Sequence, residues 1–291
     1  MSSYKDQAEG LRSQSQANKA NSTKSLRCFA IASGKGGVGK TFFSVNMSIA
    51  MAKMGERVLL VDADLGLANV DIVLGVNPEY TINDVIFHGK TLKDAVQKSS
   101  YGVDFLAASS GEKNMINLGP ARLQKFVTEL MAFASEYDTI IFDCGAGINK
   151  SVTSFISAAP QAIIMITIEP TSIMDAYSLI KIARKENLTE DISVVLNMVR
   201  ADEQGKAVFN NLTKVSESFL SSPIKLLGII PYSEDIHKAV IHRKPIISSN
   251  PDSIIYRKVM EIAQKISSHK KVRADQIDGA ALVEGLLNIK G

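Results

Sequence analysis

The sequence predicts an α/β protein with a doubly wound, mostly parallel sheet, and three observations lead to that prediction. Apolar runs recur along the middle of the 291-residue chain, and most are continuous rather than alternating, as in parallel strands covered on both faces. Helix-like stretches separate these runs, which is the alternation of a parallel sheet wound in both directions. The polar motifs follow the ends of the runs, where ligands bind in such sheets.

The strands and longer helices follow from the apolar patterns. Strands are predicted over Arg27–Ser33, Val58–Asp62, Val103–Ala107, Thr139–Asp143, Ala162–Ile168, Ser193–Met198 and Lys225–Ile230. Helices are predicted over Ser44–Met54, Ala121–Tyr137, Asp175–Lys185 and Lys206–Leu220. Composition divides the chain into a polar, flexible extension over 1–26, an α/β domain over 27–268 and a tail over 269–291.

Composition excludes several classes of protein. The net charge of +3 is too small to imply nucleic-acid binding by itself. Cys28 and Cys144 lie in apolar runs and are predicted to be buried thiols, and the sequence has no CxxC pair that could carry an iron–sulfur cluster. The chain has no secretory h-region and no apolar run of membrane-spanning length, so we expect a cytoplasmic protein.

A glycine-rich loop follows the first predicted strand. Residues Gly34–Thr41 read GKGGVGKT and match G-x-x-x-x-G-K-[ST] completely. Backbone N–H groups of such a loop converge on phosphate oxygens, and the helix that follows adds the positive end of its dipole. Lys40 can reach the β- and γ-phosphates, and the hydroxyl of Thr41 can hold Mg²⁺. The predicted nucleotide-binding residues here are Gly34, Gly36, Gly37, Val38, Gly39, Lys40, Thr41 and Phe42.

Three aspartates follow predicted strands. Asp62 and Asp64 are two residues apart and therefore lie on the same side of the ribbon. Two carboxylates near a magnesium phosphate can orient the waters of the metal and the attacking water. Asp143 ends another apolar strand, and its carboxylate can accept hydrogen bonds from Mg-bound water or from Thr41. Thr41, Asp62 and Asp143 are thus predicted to form the metal site; for Asp64, a role as a helix cap or turn residue is the alternative.

A second lysine, Lys35, lies inside the loop, where an ordinary phosphate loop needs no charge. With this lysine, GKGGVGKT resembles the deviant Walker A motif of the MinD/ParA (SIMIBI) class of dimerising P-loop ATPases. The resemblance implies that Lys35 crosses a dimer interface and touches the nucleotide of the partner, where a cation could neutralise charge on the phosphates as an arginine finger does. A solvated lysine is the alternative.

The resemblance continues in the segment DADLGLAN, which begins at Asp62 and looks like the MinD-type version of the family motif. It implies that Asp62 lies near Mg²⁺ and that Asp64 positions the nucleophilic water. The family is therefore expected to give this chain a slow, dimerisation-dependent ATPase activity, with Lys35, Lys40 and Asp64 as catalytic residues.

Two late segments are candidates for binding the base. Asn197 and Arg200 occur in VLNMVR, and Pro231 in GIIPYSEDI. In the family, the matching asparagine and the loop after the matching proline frame adenine, whose N6 amine and N7 an amide can pair. No NKxD-like loop is present for guanine, so ATP is favoured over GTP. Asn197 as a simple strand-end turn residue remains an alternative.

In relatives, a Thr-x-Pro-Glu segment and the aspartate after it lie near the dimer interface. Here the order is Glu169-Pro170, reversed. Asp175 is therefore either a residue of the dimer interface or an aspartate at the N-terminus of a helix, where the positive end of the helix dipole stabilises its charge.

The amino terminus carries a second resemblance. Residues Asp6–Arg12 read DQAEGLR, and this pattern before a MinD-like core resembles the flagellar-number ATPases of the FlhG/FleN (YlxH) type. The resemblance implies that this segment is a helix, which in that family binds and stimulates the signal-recognition-type GTPase FlhF. The residues carried over as partner-binding are Asp6, Gln7, Ala8, Leu11 and Arg12. A polar, disordered tail is the general alternative.

The carboxyl terminus has a basic cluster followed by apolar residues over Ile277–Ile289. Relatives end in an amphipathic helix that binds anionic membrane, so the tail is either a peripheral contact with the inner membrane or a helix folded back on the core.

A flagellar ring protein or a transcription regulator is a further possible partner. The alternatives for the whole chain are a MinD-type septum-site ATPase and a ParA-type DNA-partition ATPase, although DNA binding is not expected.

Overall fold

The computed structural model describes residues 25–64, 69–108, 120–189, 191–220, 223–269 and 271–287. Within these ranges the strands are β1 Ser25–Ser33, β2 Val58–Ala63, β3 Val96–Lys98, β4 Asp104–Leu106, β5 Thr139–Ala146, β6 Gln161–Ile166, β7 Asp191–Val199, β8 Lys225–Pro231 and β9 Val272–Arg273. The first eight form one sheet in the order β3-β4-β2-β5-β1-β6-β7-β8. Every neighbouring pair in it is parallel except β3–β4, which is antiparallel. The predicted mostly parallel sheet is confirmed.

The helices of the described ranges lie between the strands. They are α1 Lys40–Lys53, α2 Val70–Leu74, α3 Ile82–Phe87, α4 Leu92–Ala95, α5 Pro120–Ala134, α6 Lys150–Ala158, α7 Pro170–Lys185, α8 Asp202–Leu220, α9 Glu234–Ile241, α10 Ile246–Ser249, α11 Ile254–Ser267 and α12 Gly279–Leu287. No helix in the described part of the chain has both the length and the apolar character needed to cross a bilayer.

The two faces of the sheet bury two separate apolar cores. Along β1, the side chains of Cys28, Ala30 and Ala32 face the core that includes α5, α6, α7 and α12, whereas Phe29 and Ile31 face the core under α1 and α11. Because side chains alternate along a strand, a strand buried on both faces needs apolar residues at nearly every position. Cys28 and Cys144 are buried free thiols, as predicted.

The prediction for α7 was wrong at its start. The sequence predicted a helix from Asp175, but α7 begins at Pro170, with Glu169 as its N-cap residue. Proline suits the first turn of a helix because it lacks the N–H that would otherwise have no partner there. Asp175 is therefore an internal residue of α7, and its interpretation as a helix-N-terminal aspartate is incorrect.

The amino ends of the strands are joined by a buried ion pair. Arg27 Nη1 lies 3.0 Å from Glu56 Oε1, and both side chains are nearly buried. Glu56 also accepts hydrogen bonds from the hydroxyls of Thr139, over 2.6 Å, and Ser267, over 2.9 Å. These contacts connect β1, the turn before β2, the start of β5 and the end of α11. They lie at the amino-terminal ends of the strands, on the opposite side of the sheet from the phosphate loop.

The described part of the tail packs on the sheet domain. β9 pairs antiparallel with the start of β1, and α12 lies against α5 and α6. Leu282 and Leu286 are buried, and a Cβ at Gly285 would lie only 3.3 Å from the ring of Phe155. Lys150 and Glu284 form an ion pair of 3.0 Å beside this contact. Of the two interpretations of the tail, residues 279–287 agree with a helix folded back on the core.

Candidate functional site

The phosphate loop joins β1, which ends at Ser33, to α1, which begins at Lys40. Gly37 has φ 78° and Gly39 has φ 86°, the left-handed region that glycine adopts without steric cost. The first N–H groups of α1 have no intrahelical acceptor, and the positive end of the helix dipole lies at the same place. The predicted glycine loop therefore has the backbone form that anion binding requires.

Neighbouring elements press closely against this loop. A Cβ at Gly34 would lie 2.5 Å from the backbone of Asp175 in α7, and a Cβ at Gly39 would overlap the side-chain amide of Asn197. Asn197, which is 2% exposed, donates from Nδ2 to the carbonyl of Val38 over 2.8 Å. These contacts fix the loop between the end of β7 and the first half of α7.

Lys40 lies beside Asp143 beneath the loop. Lys40 Nζ is 3.6 Å from Asp143 Oδ1, and both side chains are buried. Ser44 also donates to Asp143 Oδ1 over 2.8 Å, while Asp143 Oδ2 is buried and has no hydrogen-bond partner among the described residues. A buried acceptor without a partner is costly, so Oδ2 is available to a cation or a bound water.

Asp62 and Asp143 are register partners near the carboxyl ends of the neighbouring strands β2 and β5; β5 continues to Ala146, beyond the predicted end at Asp143. Asp62 accepts backbone N–H groups from Asp64 and Asn69, each over 3.0 Å, and from Val70 over 3.2 Å. Burial, with the charge of Asp143 as the second cause, nevertheless raises the pKa of Asp62 to about 7. Two buried carboxylates side by side repel each other, and a divalent cation would relieve that repulsion.

These residues fit a magnesium site of the kind that uses few protein ligands. Thr41 is the second residue of α1, and the two carboxylates of Asp62 and Asp143 lie near the carboxyl ends of adjacent strands. Mg²⁺ binds through one or two carboxylates and substrate phosphates and usually keeps several waters. The unpartnered oxygen of Asp143 is the structural observation that supports this fit.

The end of β5 contacts Asp64, and the residue after β5 contacts the end of β1, just before the phosphate loop. A Cβ at Gly145 would lie 3.6 Å from the carboxyl carbon of Asp64, and the N–H of Gly147 donates to the carbonyl of Ser33 over 2.9 Å. Gly147 has φ 101°, a conformation that other residues rarely adopt. Asp64 thus lies near Gly145, the first residue of the Gly-Ala-Gly segment 145–147, a contact that the sequence did not predict.

Lys35 is held by residues of its own chain. Its Nζ lies 2.8 Å from Glu169 Oε2 and donates to the hydroxyl of Thr171 over 3.0 Å. Both partners belong to the start of α7, and the lysine side chain is 39% exposed. Lys35 therefore forms an intramolecular ion pair. It is not the solvated, unpaired lysine that the sequence left open as an alternative.

The predicted base-binding residues follow two adjacent strands. Arg200 comes after β7 and Pro231 ends β8, and the Arg200 guanidinium lies 5.7 Å from the ring centroid of Tyr232. Asn197 Oδ1 has no partner among the described residues, so it could accept the N6 amine of adenine, while Nδ2 is already bound to the loop. Because its side chain binds the phosphate loop, Asn197 is more than a simple turn residue, and its contact with the base stays a prediction.

Not every predicted residue can contribute its side chain. Val38 and Phe42 are buried in the core, so only their backbone groups could contact a nucleotide. Gly36 and Gly37 are exposed. The partner-binding residues predicted near the amino terminus lie outside the described residues: Asp6, Gln7, Ala8, Leu11 and Arg12.

Sequence reasoning did not identify three residues around the site, Ser44, Thr171 and Tyr232. It also did not identify the contact of Glu169 with Lys35. Ser44 could have been found, because it lies one helical turn after Lys40 and faces the same way. Thr171 and Glu169 reach the loop through the packing of α7, for which the sequence carries no local signal.

Comparison with known proteins gives a consistent result. Residues 29–246 match the family described as the CobQ/CobB/MinD/ParA nucleotide binding domain. The chain is 38% identical to the antiactivator FleN of Pseudomonas aeruginosa over 243 residues, which cover 84% of this chain and 87% of FleN. It is 31% identical to the flagellum site-determining protein YlxH of Helicobacter pylori, covering 89% of this chain and 87% of YlxH.

MinD proteins are also similar in sequence and in structure. The septum site-determining protein MinD of Bacillus subtilis is 34% identical, covering 79% of this chain and 85% of MinD. The MinD of Pyrococcus horikoshii, solved in complex with Mg-ADP, superposes with a TM-score of 0.69 at 27% identity, covering 84% of this chain and 96% of that one.

Proposed function

The chain belongs to the CobQ/CobB/MinD/ParA family of nucleotide-binding domains and is an ATPase of its MinD/ParA class, and we propose that it is a dimerising switch that regulates flagellar number or placement. The observation that carries the enzymatic part is the convergence of Lys40, Asp62 and Asp143 beneath one glycine loop. The similarity to FleN and YlxH supports the flagellar part.

In this proposal each residue of the site has a separate role. The loop N–H groups and Lys40 bind the triphosphate, and Asp64 orients the water that attacks it. Thr41, Asp62 and Asp143 would hold Mg²⁺, which when bound neutralises phosphate charge. Lys35 of each copy leaves its own subunit and contacts the phosphates of the other copy, so that hydrolysis ends the contact that holds the pair.

Sedimentation of an Asp64→Ala variant tests the switch. With ATP and Mg²⁺ the variant should accumulate as a dimer, because it binds nucleotide and lacks the group that orients water. With ADP it should remain a monomer. A variant that binds ATP and yet stays monomeric would refute the switch.

We also propose that the amino-terminal segment Asp6–Arg12 stimulates an FlhF-type GTPase, with Gln7 directed toward the active site of the partner. A peptide of residues 1–20, and the same peptide with Gln7→Ala, test this directly in a GTP hydrolysis assay. Acceleration by the first peptide and not by the second is expected. No acceleration by either would remove the partner assignment and leave the ATPase unaffected.

Contact with the cytoplasmic face of the inner membrane is a further part of the proposal. The apolar residues of α12 are buried against α5 and α6, so this helix would have to leave the core before it could enter a bilayer. Lys271, ahead of the helix, is an exposed cation that would favour anionic lipid, whereas the charge of Arg273 is already paired with Asp275. A single such anchor binds weakly, and two anchors in a dimer bind much more strongly.

A MinD-type role at the septum is the second candidate function, and the 34% identity to MinD of Bacillus subtilis favours it. The two candidates differ in their phenotype and partner. Deletion that changes flagellar number without displacing septa supports the first function, whereas minicells with normal flagella support the second. A ParA-type role would require DNA binding with a steep salt dependence.

A further inference from the structure

We propose that Glu169 and Thr171 hold Lys35 against its own subunit, and that Glu169 thereby sets the nucleotide concentration at which two copies of this chain associate. The inference rests on the proposed function, in which Lys35 leaves its own subunit to reach phosphates bound by a second copy. It assigns to Glu169 a positioning role toward that lysine.

The contact satisfies two of the three ammonium protons. Lys35 Nζ lies 2.8 Å from Glu169 Oε2 and 3.0 Å from Thr171 Oγ1, and an ammonium group has three N–H donors. One partner carries a full negative charge and the other is neutral. Glu169 is therefore the electrostatic partner, and Thr171 fixes the direction of the lysine.

Both sides of the contact are attached to fixed backbone. Gly34 lies so close to α7 that a Cβ there would be 2.5 Å from the backbone of Asp175. The hydroxyl of Ser33 donates to the carbonyl of Lys35 over 2.8 Å. Glu169 is the N-cap residue of α7, where Pro170 fixes the first turn. The position of Lys35 next to Glu169 thus follows from the packing of the loop on α7.

The ion pair is exposed enough for Lys35 to exchange Glu169 for another anion. The lysine side chain is 39% exposed and the glutamate side chain is 62% exposed, so water and salt screen their attraction. A triphosphate carries several negative charges against the single charge of Glu169, and it would compete successfully for the lysine once a second copy presents it. Until then, the glutamate opposes association, because its contact with Lys35 must break before Lys35 can cross.

The test compares matched variants in sedimentation with a non-hydrolysable ATP analogue and Mg²⁺. Glu169→Gln removes the charge and keeps the size, and Thr171→Val removes the hydroxyl and keeps the shape. Glu186→Gln is the control, because it removes the same charge from an exposed residue at the other end of α7. Each is also made with Lys35→Ala, and thermal melts check that every variant is folded.

We expect the half-maximal nucleotide concentration for association of Glu169→Gln to fall about two- to fivefold, which is the range of one exposed ion pair. Thr171→Val should lower it less, and Glu186→Gln should leave it unchanged. With Lys35→Ala, adding Glu169→Gln should have no further effect, because the glutamate acts through the lysine. A helix-stabilising effect of Glu169 would move the melting temperature and would persist without Lys35.

The outcomes separate this inference from the proposed function. If Lys35→Ala associates as readily as the unmodified chain, the crossing of Lys35 is wrong and both proposals fail. If Lys35→Ala is impaired while Glu169→Gln matches the unmodified chain or associates less readily, only the role of Glu169 is overturned. A shift of equal size in the presence and absence of Lys35 also overturns it.

Discussion

The side chain of Asn197 occupies the space that the missing Cβ of Gly39 leaves open, and its amide bonds to the carbonyl of Val38 over 2.8 Å. The end of β7 thus supports the phosphate loop from below. Just after this amide, Met198 adopts a left-handed φ of 58°, and the pairing of β7 with β8 is shifted between Leu196 and Val199. Backbone strain of this kind is found at functional sites.

Asn197→Ala should weaken both the fold and nucleotide binding. The substitution leaves the Val38 carbonyl without its donor, which costs about 1–3 kcal/mol in the free energy of unfolding. Urea unfolding and a nucleotide titration measure the two effects. Asn210→Ala, at an exposed position of α8, is the control and should change stability by less than about 0.5 kcal/mol. Equal stability of the two variants would contradict the supporting role of Asn197.

Lys40→Ala should reduce ATP affinity about 100-fold, because a charge-assisted contact with phosphate is lost. Isothermal titration with ATP and Mg²⁺ measures the change. Lys53→Ala is the matched control, since Lys53 is an exposed residue in the last turn of the same helix. Near-normal binding by Lys40→Ala would show that the loop has been assigned wrongly.

Glu56→Gln should destabilise the protein without affecting its nucleotide site. The guanidinium of Arg27 would remain buried without its anion, at a cost of about 3–5 kcal/mol. The pair lies at the amino ends of the strands, away from the phosphate loop, so ATP affinity in the folded protein should not change. Glu129→Gln, which breaks the exposed pair with Lys125, should cost less than about 0.5 kcal/mol. A similar small loss for both variants in urea unfolding would rule out a special role for the buried pair.

Gly285→Leu should loosen α12 from the core. A Cβ at this position would already lie 3.2 Å from Ser154 Cβ, and a larger side chain would force the helices apart at a cost of about 1–3 kcal/mol. Hydrogen exchange over residues 279–287 should therefore accelerate, and anionic vesicles should bind the variant without ATP if the tail is the membrane contact. Ala280→Leu adds the same side chain on the exposed side of the helix. It should neither accelerate hydrogen exchange nor cause vesicle binding without ATP. Unchanged exchange in Gly285→Leu would mean that the close approach does not hold the helix in place.

The sequence by itself determined the seven parallel strands of the sheet, four of the helices in the described ranges, the glycine loop and the carboxylates near the strand ends. Each of these features is local: a run of apolar residues, a loop of eight residues from Gly34 to Thr41, and an aspartate at the end of a run, as at Asp62 and Asp143. Local patterns fix local backbone geometry, and in a parallel sheet that geometry places all the strand ends on one edge.

Only the tertiary structure decided the partners of these residues. Lys35 meets Glu169 and Asn197 meets Val38 across more than a hundred residues of chain, through the packing of α7 and the shifted end of β7. The antiparallel edge strand β3 and the inward face of α12 likewise depend on which surfaces the rest of the sheet leaves to be covered. Periodicity shows that a segment has an apolar face, but the surface that buries it is supplied by residues far away in the sequence.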